Sequence, residues 1–330
     1  MEVFEKDLQI VLAREAEYFL LQELFNRSAE DEMPYQKIDI DVCRVLFGSA
    51  DEKRKVMTFC AKDGGKIVGF VSGCIHMGTG ACYLTFILTA KEKRRRGIGT
   101  RLLHVLMEEM KKEVETPKLQ ISFFNPCALT WIVPGTPGHD HPNAPGVDVS
   151  SAAYLFFKNR NFLPSVYQNS FYLPLARYKE PSVLAQKRVE LSEQKIEICH
   201  YLPDRHTGLW ELTENLGNPV WKEELLANDA LKEKGYPLAA AIHENKIIGF
   251  AGPLRVQESG RGYFAGIGVH SDYRGFGLGN VLFHTLCASL KEMGAAYMTL
   301  FTGETNPAGQ IYLNAGFRIV KCWADMEITL

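Results

Sequence analysis

Apolar, strand-like runs and stretches with apolar residues at helical spacing follow one another along the chain, and the same order of elements is predicted twice. In the first half the strand-like runs are VMTFCAK, KIVGFVSGCI and CYLTFILT, and in the second half they are PLAAAIH, KIIGFAGPL and GYFAGIGV. Each set precedes a stretch with apolar residues at helical spacing, TRLLHVLMEEMKK or VLFHTLCASLKEM, and then a further strand. Amphipathic stretches, VLAREAEYFLLQELF and HTGLWELTENL, come before each set. We therefore predict two copies of one α/β (α+β) unit, each a mixed, mostly antiparallel sheet flanked by helices.

The two copies also set the expected domain limits. Arg94 and Arg274 occupy equivalent places, 180 positions apart. The stretch RYKEPSVLAQKRVELSEQ between the copies is polar and carries a proline, which is typical of a boundary near 178–190. We predict domains at 1–177 and 186–330.

A glycine-rich turn joins the third strand to the helix in both copies, as EKRRRGIG at 92–99 and DYRGFGLG at 272–279. Gly275, Gly277 and Gly279 let the backbone approach a ligand, and the free amides of the helix start favour an anion such as a pyrophosphate. No Gly-Lys-Ser/Thr follows, so the turn is not a P-loop, and the preceding β meander fits a dinucleotide-binding βαβ unit poorly. A glycine turn without a ligand remains the alternative.

After the next strand, the second half carries Asn306, Tyr312 and Gly316-Phe317. The combination of RxxGxG after a β meander with Nx(5)Yx(3)GF resembles the GNAT family of acyl-CoA-dependent N-acetyltransferases. The resemblance spans nearly all of both halves, and the tandem layout is similar to that of mycothiol synthase. It implies binding of acetyl-CoA or coenzyme A, with acetyl-CoA as the acyl donor, and direct attack by the amine of a small molecule.

The resemblance also implies a role for individual residues of the second half. The turn from Arg274 to Gly279 would hold the pyrophosphate, and the strand that ends Ile267-Gly268-Val269 would pair with the pantetheine arm. An N–H near Val269 would donate to the thioester carbonyl, where a fixed donor contributes a few kcal/mol. Asn306 would contact the cofactor arm, and Tyr312 would protonate the departing thiolate.

The general base is left open by the sequence. The third strand of the second half, RGYFAGIGV, contains no Asp or Glu where some family members carry a base. Glu304, His270 and His243 are the candidates, and each could instead be a solvated or structural residue. The missing carboxylate keeps a second function open, that of a non-enzymatic acyl-CoA-binding or sensing protein.

The first half departs from the motif. Alignment of AAYLFFKNRNF with PAGQIYLNAGF places Phe157 opposite Tyr312 and Asn161 opposite Gly316. Phenylalanine has no proton to give, whereas asparagine tolerates the left-handed conformation of a helix-ending glycine. The glycine turn with Arg94, Gly97 and Gly99 is intact. We expect this half to be able to hold coenzyme A without being catalytic, or to be a repeat retained for packing.

A 25-residue insertion near 125–150 sets the first half apart, because Arg94 to Phe162 spans 68 positions and Arg274 to Phe317 spans 43. Its proline and glycine content predicts a packed loop, with the triplet Trp131-Ile132-Val133 buried and 139–148 facing a cavity. We expect it to fill or close the first half's cleft or to reach the domain interface. The His139-Asp140-His141 cluster raises a metal site as an alternative, although further ligands are not evident and no metal is expected. Asp148 could cap the helix that follows.

Composition adds limits on function. The net charge of −2 and the absence of long apolar runs predict binding to neither nucleic acid nor membrane. Eight scattered cysteines without a CxxC pair are typical of reduced thiols, so we expect a cytoplasmic protein. It would be a monomer with an internal pseudo-dimer, or a homodimer.

Overall fold

The computed structural model describes residues 8–31, 33–48, 51–114, 118–136 and 139–330. The chain forms two compact units, Met1–Asn169 together with Lys321–Leu330, and Ser170–Val320. The predicted limits of 1–177 and 186–330 follow the repeat, whereas the compact units change at residue 170. They differ at two places, since residues 170–177 belong to the second unit and the last ten residues of the chain belong to the first.

The secondary structure follows the predicted order. The strands are β1 (Gln9–Leu12), β2 (Arg54–Asp63), β3 (Lys66–His76), β4 (Cys82–Thr89), β5 (Lys118–Ile121), β6 (Trp131–Ile132), β7 (Asp140–His141), β8 (Val147–Asp148), β9 (Leu163–Pro174), β10 (Ile196–His200), β11 (Ala239–His243), β12 (Lys246–Gly252), β13 (Arg261–Gly262), β14 (Gly266–Val269), β15 (Tyr297–Gly303) and β16 (Arg318–Thr329). The helices are α1 (Tyr18–Asp31), α2 (Ile40–Phe47), α3 (Ile98–Lys111), α4 (Ala152–Lys158), α5 (Val183–Glu193), α6 (Leu209–Leu216), α7 (Pro219–Ala230), α8 (Leu278–Glu292) and α9 (Ala308–Asn314).

The sheet of the first unit is a meander completed by the end of the chain. Its order is β1-β2-β3-β4-β5-β16, followed by the start of β9. The predicted strands β2, β3 and β4 are confirmed as antiparallel neighbours. Strand β4 pairs with β5 in parallel only at Cys82 and Tyr83, and β5 pairs on its other side with β16, where Ile121 lies opposite Met326. The later part of β4 therefore has no partner on the side of β5 among the described strands.

Helices cover both faces of this sheet. Leu102 and Leu106 of α3 pack against one face, and Phe25 of α1 and Phe47 of α2 pack against the other. The predicted amphipathic stretch VLAREAEYFLLQELF is only partly helical. Its first residues belong to β1, and α1 begins at Tyr18, because a short apolar run fits a strand as well as a helix.

The second unit has an antiparallel sheet in the order β10-β11-β12-β14. Strands β11, β12 and β14 fall in the three predicted runs, although GYFAGIGV joins this sheet only from Gly266 onward, and β10 was not predicted. Strand β15 lies outside this sheet and pairs in parallel with β13. Helix α8 packs on one face of the meander through Leu282 and Leu286, whereas α6 and α7 cover the other face with Leu212 and Leu225. The stretch at 178–190, interpreted from sequence as a boundary, includes the start of helix α5.

The inserted loop is a packed structure with its own hairpin. Strands β6 and β7 pair, and β8 pairs with β16. Trp131 and Val133 are buried as predicted, but Ile132 is 40% exposed, because successive residues of a strand point to opposite sides. His139 and His141, which were expected to face a cavity, are also buried.

The expected capping role of Asp148 is wrong. Its Oδ1 accepts hydrogen bonds from the amide and the hydroxyl of Ser150, and its Oδ2 pairs with Lys321 Nζ at 2.5 Å. Ser151 holds the N-cap position of α4. Asp148 thus fixes the end of the insertion to β16, within the first unit.

Candidate active site in the second unit

Strand β14 lies at the edge of its sheet among the described strands. The amide of His270 donates to Ile248 O at 2.8 Å, so the ladder bonds to β12 fall on residues 266, 268 and 270. Because bonding positions alternate along an antiparallel pair, the amides and carbonyls of Ile267 and Val269 point away from β12. The two predicted backbone contacts therefore lie along an unpaired strand edge.

The helix-side face of β14 is shaped by its two glycines. A Cβ on Gly266 would lie 2.4 Å from the ring of Trp221, and one on Gly268 would lie 2.7 Å from Leu216. Trp221 Nε1 also donates to Ala265 O at 3.1 Å. Helices α6 and α7 therefore press directly on the backbone of β14, which fixes the position of its edge.

The glycine turn comes directly after this edge. Gly275 has φ 89° and Gly277 has φ 78°, both in the left-handed region, and α8 begins immediately after Gly277. Arg274 does not point across the turn, because its Nε donates to Val269 O at 3.3 Å. A Cβ on Gly279 would lie 3.8 Å from Ile311, an ordinary contact. The turn presents the free amides of the first turn of α8, a geometry that suits a phosphate group.

Sequence reasoning missed a cation beside this turn. A Cβ on Gly277 would lie 3.0 Å from Lys187 Cε, and Lys187 Nζ pairs with Glu190 Oε2 at 2.9 Å. Lys187 lies on α5, which falls in the stretch interpreted as a boundary, so comparison of the copied motifs could not find it.

Tyr312 is held in an aromatic cluster. Its side chain is 4% exposed, and its ring contacts the rings of Phe171, Phe264, Phe283 and Phe317. Burial raises the pKa of Tyr312 to about 12. No described side chain or backbone group forms a hydrogen bond with its hydroxyl. The phenol is therefore protonated at neutral pH, as a proton donor must be.

Asn306 and Glu304 lie in the turn between β15 and α9. Asn306 Oδ1 accepts from the amide of Ala308 at 2.9 Å, so the side chain organises the start of α9, and Glu304 is exposed. The same arrangement occurs at Asn125, whose Oδ1 accepts from the amide of Cys127 at 2.9 Å. The Asn-Pro dipeptide is thus repeated in both copies. The insertion after Pro126 hid this match, which a search for shared dipeptides would have found.

The two histidine candidates for a base are engaged in the turn that carries Arg274. His243 Nδ1 lies 2.8 Å from Tyr273 Oη, and His270 Nδ1 accepts from the amide of Asp272 at 3.3 Å. In the first unit, Asp63 and Lys93 occupy the places of His243 and Tyr273 and form an ion pair at 2.5 Å. A tether at this point in both copies favours a structural role for His243.

The first unit has the same turn. Arg95 has φ 64° where the second unit has Gly275, and Gly97 has φ 78°. Arg94 Nε donates to Thr89 O at 3.1 Å, as Arg274 does to Val269 O. Asn161 has φ 65°, in agreement with the expected replacement of the helix-ending glycine.

The two units differ beside the diverging strands. In the first unit, Cys127 and Leu129 of the insertion are buried in the cluster that contains Phe25, Phe47 and Phe86. Phe157, in the place of Tyr312, is 3% exposed. The beginning of the insertion therefore fills space between the sheet and helices α1 and α2.

A thiol cluster anchors this filling. Cys74 Sγ contacts Asn125 Oδ1 at 3.3 Å, and Arg54 Nη1 contacts Cys127 Sγ at 3.4 Å. Contact with Cys74 and the charge of Arg54 hold the pKa of Cys127 below its usual value, although burial opposes the shift. Thr85 Oγ1, which also contacts Asn125 Oδ1, lies where the β3–β4 register shifts.

Comparison with known proteins identifies the fold. The model of the acetyltransferase (GNAT) family matches residues 16–124 and again 202–317. The chain belongs to the GNAT acetyltransferase family. The two matches agree with the two copies seen in the structure, and GNAT acetyltransferases use acetyl-CoA. No curated protein sequence matches the chain.

Solved structures share this two-unit fold. One is a GCN5-related glucosamine N-acetyltransferase region of a fungal multi-domain GH3 β-N-acetylglucosaminidase, at 17% identity and TM-score 0.67. It covers 97% of this chain, which spans only 38% of that protein. A tandem GNAT protein from the clavulanic acid biosynthesis pathway has 16% identity and TM-score 0.58, covering 98% of each chain. A GNAT protein from Sphaerobacter thermophilus has 13% identity and TM-score 0.59, covering 98% of this chain and 96% of that one.

Neither a membrane span nor a metal cluster occurs in the part of the chain that the structure describes. None of the described helices is both long enough and apolar enough to cross a membrane. Among the same residues, no group of three or more His, Cys, Asp or Glu side chains is arranged to hold a metal ion.

Proposed function

We propose that the chain is an acyl-CoA-dependent N-acetyltransferase whose reacting centre lies in the second unit and whose acceptor is a small-molecule amine. The observation that carries the proposal is the edge of β14. The outward amides of Ile267 and Val269 lead directly to a left-handed glycine turn and the start of α8. A ladder of backbone groups followed by an anion site matches a ligand with an amide-containing arm and a pyrophosphate.

Acetyl-CoA supplies an activated acetyl thioester, and the residues of this chain position it and move protons. The free amides after Gly277 receive the phosphate groups, and Lys187 lies beside them. Val269 N–H donates toward the carbonyl oxygen as negative charge develops there, a contribution of about 3 kcal/mol to the rate. Tyr312 donates its proton to the sulfur that leaves.

The acidity of Tyr312 limits this last step. A pKa of about 12 lies above the ordinary thiol value of about 8.5, so proton transfer to a fully solvated thiolate costs about 5 kcal/mol. Burial also raises the pKa of a thiol, as it does for Cys287 in the same core. When the leaving sulfur is buried beside the phenol, the pKa of the thiol and the pKa of Tyr312 come closer together, and proton transfer costs less.

Two features of the first unit support this assignment, and a third bears on the role of that unit. Phe157 stands in the place of Tyr312, and Cys127 and Leu129 fill the space beside α1 and α2. The glycine turn keeps its backbone shape. We propose that this unit serves as a scaffold that retains a phosphate-binding turn.

The test removes one backbone donor at a time. Val269→Pro deletes an N–H that takes no part in the ladder to β12, so the sheet keeps its bonds. Thr89→Pro is the matched control, because Thr89 has the equivalent outward position in the first unit. Thiol release from acetyl-CoA is measured with a panel of small amines. We expect Val269→Pro to lower kcat at least about 100-fold and Thr89→Pro to leave it within threefold.

Equal losses in both variants would contradict the assignment to the second unit. The engagement of His243 and His270 in a turn favours a second candidate, a protein that binds acyl-CoA without turnover. That candidate predicts coenzyme A binding in calorimetry and no thiol release with any amine of the panel.

A further inference from the structure

A cavity of about 480 Å³ lies in the second unit, between the loop after β10 and the end of α7. Leu209, Leu225 and Leu238, which line it, are buried side chains, and Tyr201 and Tyr236 also line it. Its volume falls within the range of small-molecule sites, and an apolar lining with a few polar groups is typical of them.

A carboxylate at this cavity lacks a partner. Asp229 Oδ1 is buried from solvent and has no hydrogen-bond partner, and Asp229 forms no ion pair with a described residue. A buried acceptor without a donor is costly, so this oxygen favours a ligand that donates. Burial, and next the charge of Asp229, raise the pKa of Tyr201, which places the negative charge close to that tyrosine.

The wall that carries Tyr236 is fixed by specific bonds. Asn228 Nδ2 donates to Tyr236 O at 2.9 Å, and the amide of Tyr236 donates to Asn228 Oδ1 at 2.8 Å. Lys232 in the same turn has φ 53°, a left-handed conformation that a non-glycine residue adopts at a cost. The cavity is therefore held by a defined turn.

The charges around the cavity select the ligand. The ionisable side chains that line it and are exposed to solvent, where charges are screened, are His200, Asp204, Arg205, Lys232 and Glu233. In contrast to those side chains, the carboxylate of Asp229 has an oxygen atom, Oδ1, that is buried from solvent. We propose that this cavity binds a small organic ammonium ion that donates to Asp229 and places its hydrocarbon part beside Tyr201 and Tyr236.

This site is separate from the reacting edge. Trp221, in the first turn of α7, packs on β14 at Gly266. Asp229 follows eight residues later, about 12 Å along the helix axis. The residues that line the cavity include none of β14, so Val269 is not part of it. The cavity is thus a second amine site that does not depend on the acetyl-transfer proposal.

The test uses 2-phenylethylammonium as the probe and 2-phenylethanol as its neutral counterpart, titrated by calorimetry into the full chain without acetyl-CoA. We expect the ammonium to bind more tightly than the alcohol. Asp229→Asn, which keeps the shape of the side chain, should weaken ammonium binding about 10- to 100-fold and leave alcohol binding unchanged. Asp204→Asn is the matched control at the rim and should change neither affinity.

Tyr236→Ala provides a second arm, since this residue is exposed and its loss spares the core. It should weaken both probes. Unchanged ammonium binding in Asp229→Asn, or equal binding of the two probes by the unaltered chain, would overturn the proposal. If Asp229→Asn fails to fold, unchanged binding of both probes by Tyr236→Ala would overturn it instead. Thiol release from acetyl-CoA is measured in parallel, and its absence would leave this result standing.

Discussion

The sharpest test of the proposed chemistry is Tyr312→Phe, which removes a single oxygen. The ring packs against Phe171, Phe264, Phe283 and Phe317, and these contacts survive the change. The hydroxyl has no described hydrogen-bond partner, so its removal leaves no buried group unpaired. We expect the free energy of unfolding at pH 7 to change by less than about 0.5 kcal/mol.

The rate should respond much more strongly. A positioned proton donor contributes about 10²- to 10⁴-fold, and we expect the lower end because a pKa of about 12 makes Tyr312 a weak acid. A loss of about 100-fold in kcat corresponds to about 2.7 kcal/mol of transition-state stabilisation. The KM for acetyl-CoA should stay within about twofold, because the phenol acts on the leaving sulfur.

The pH dependence separates this role from others. Since the phenol stays protonated below its pKa of about 12, the ratio of the two rates should be constant between about pH 6 and 9. Thiol release is measured with a thiol-reactive chromophore, and Phe157→Tyr in the first unit serves as the control that should gain nothing. A rate for Tyr312→Phe within threefold of the unaltered chain across that range would refute the proton-donor role.

Three further predictions rest on the described geometry. Gly277→Ala and Gly97→Ala each place a Cβ on a residue with φ of 78°, so each should lower the free energy of unfolding by about 1 kcal/mol. Only the Cβ of Gly277→Ala also displaces Lys187, so this variant should weaken coenzyme A binding, measured by calorimetry, more than Gly97→Ala does. Burial raises the pKa of Asp325 from 3.8 to about 6, so this group stabilises the fold below pH 4 and loses that effect above pH 6. Asp325→Asn should therefore raise the free energy of unfolding at pH 8 by about 1–2 kcal/mol, after allowance for solvent screening. The melting temperature should rise accordingly at pH 8 and stay unchanged at pH 3.5. A fragment of residues 1–177 lacks β16 and with it Trp323, which is buried in the first unit. Followed by circular dichroism, the fragment should melt without cooperativity unless a peptide of residues 318–330 is added. A cooperative transition of the fragment alone would contradict the assignment of β16 to the first unit.

Much of the fold follows from local patterns. Apolar runs separated by turns predicted the central strands of both meanders, and the glycine turns marked the starts of α3 and α8, because these signals depend on neighbouring residues alone. The run at the start of VLAREAEYFLLQELF was misassigned because a short apolar run suits β1 as well as a helix. Ile132 was misassigned because the pattern named an apolar triplet without its strand alternation.

Other features could not be predicted from periodicity. The membership of β16 in the first unit depends on its pairing with β5, which lies about 200 positions earlier in the chain, and no periodic pattern specifies a distant partner. Lys187 is close to Gly277 only because of how α5 packs. The roles named for Val269, Asn306 and Tyr312 remain predictions, which the structure supplements with backbone direction and pKa.

The same local design in the two units thus supports different expectations. Both tie the end of a strand to the glycine turn through an arginine, Arg94 to Thr89 O and Arg274 to Val269 O. Both begin the segment after the next strand with an asparagine that caps its own turn. The two units differ in the residues after this asparagine: Cys127 leads into an insertion that packs beneath α1 and α2, whereas Ala308 opens directly into the helix that carries Tyr312. Because the turn is retained where phenylalanine replaces Tyr312, the proposed phosphate-binding turn and the proposed proton donor can be tested separately within one chain.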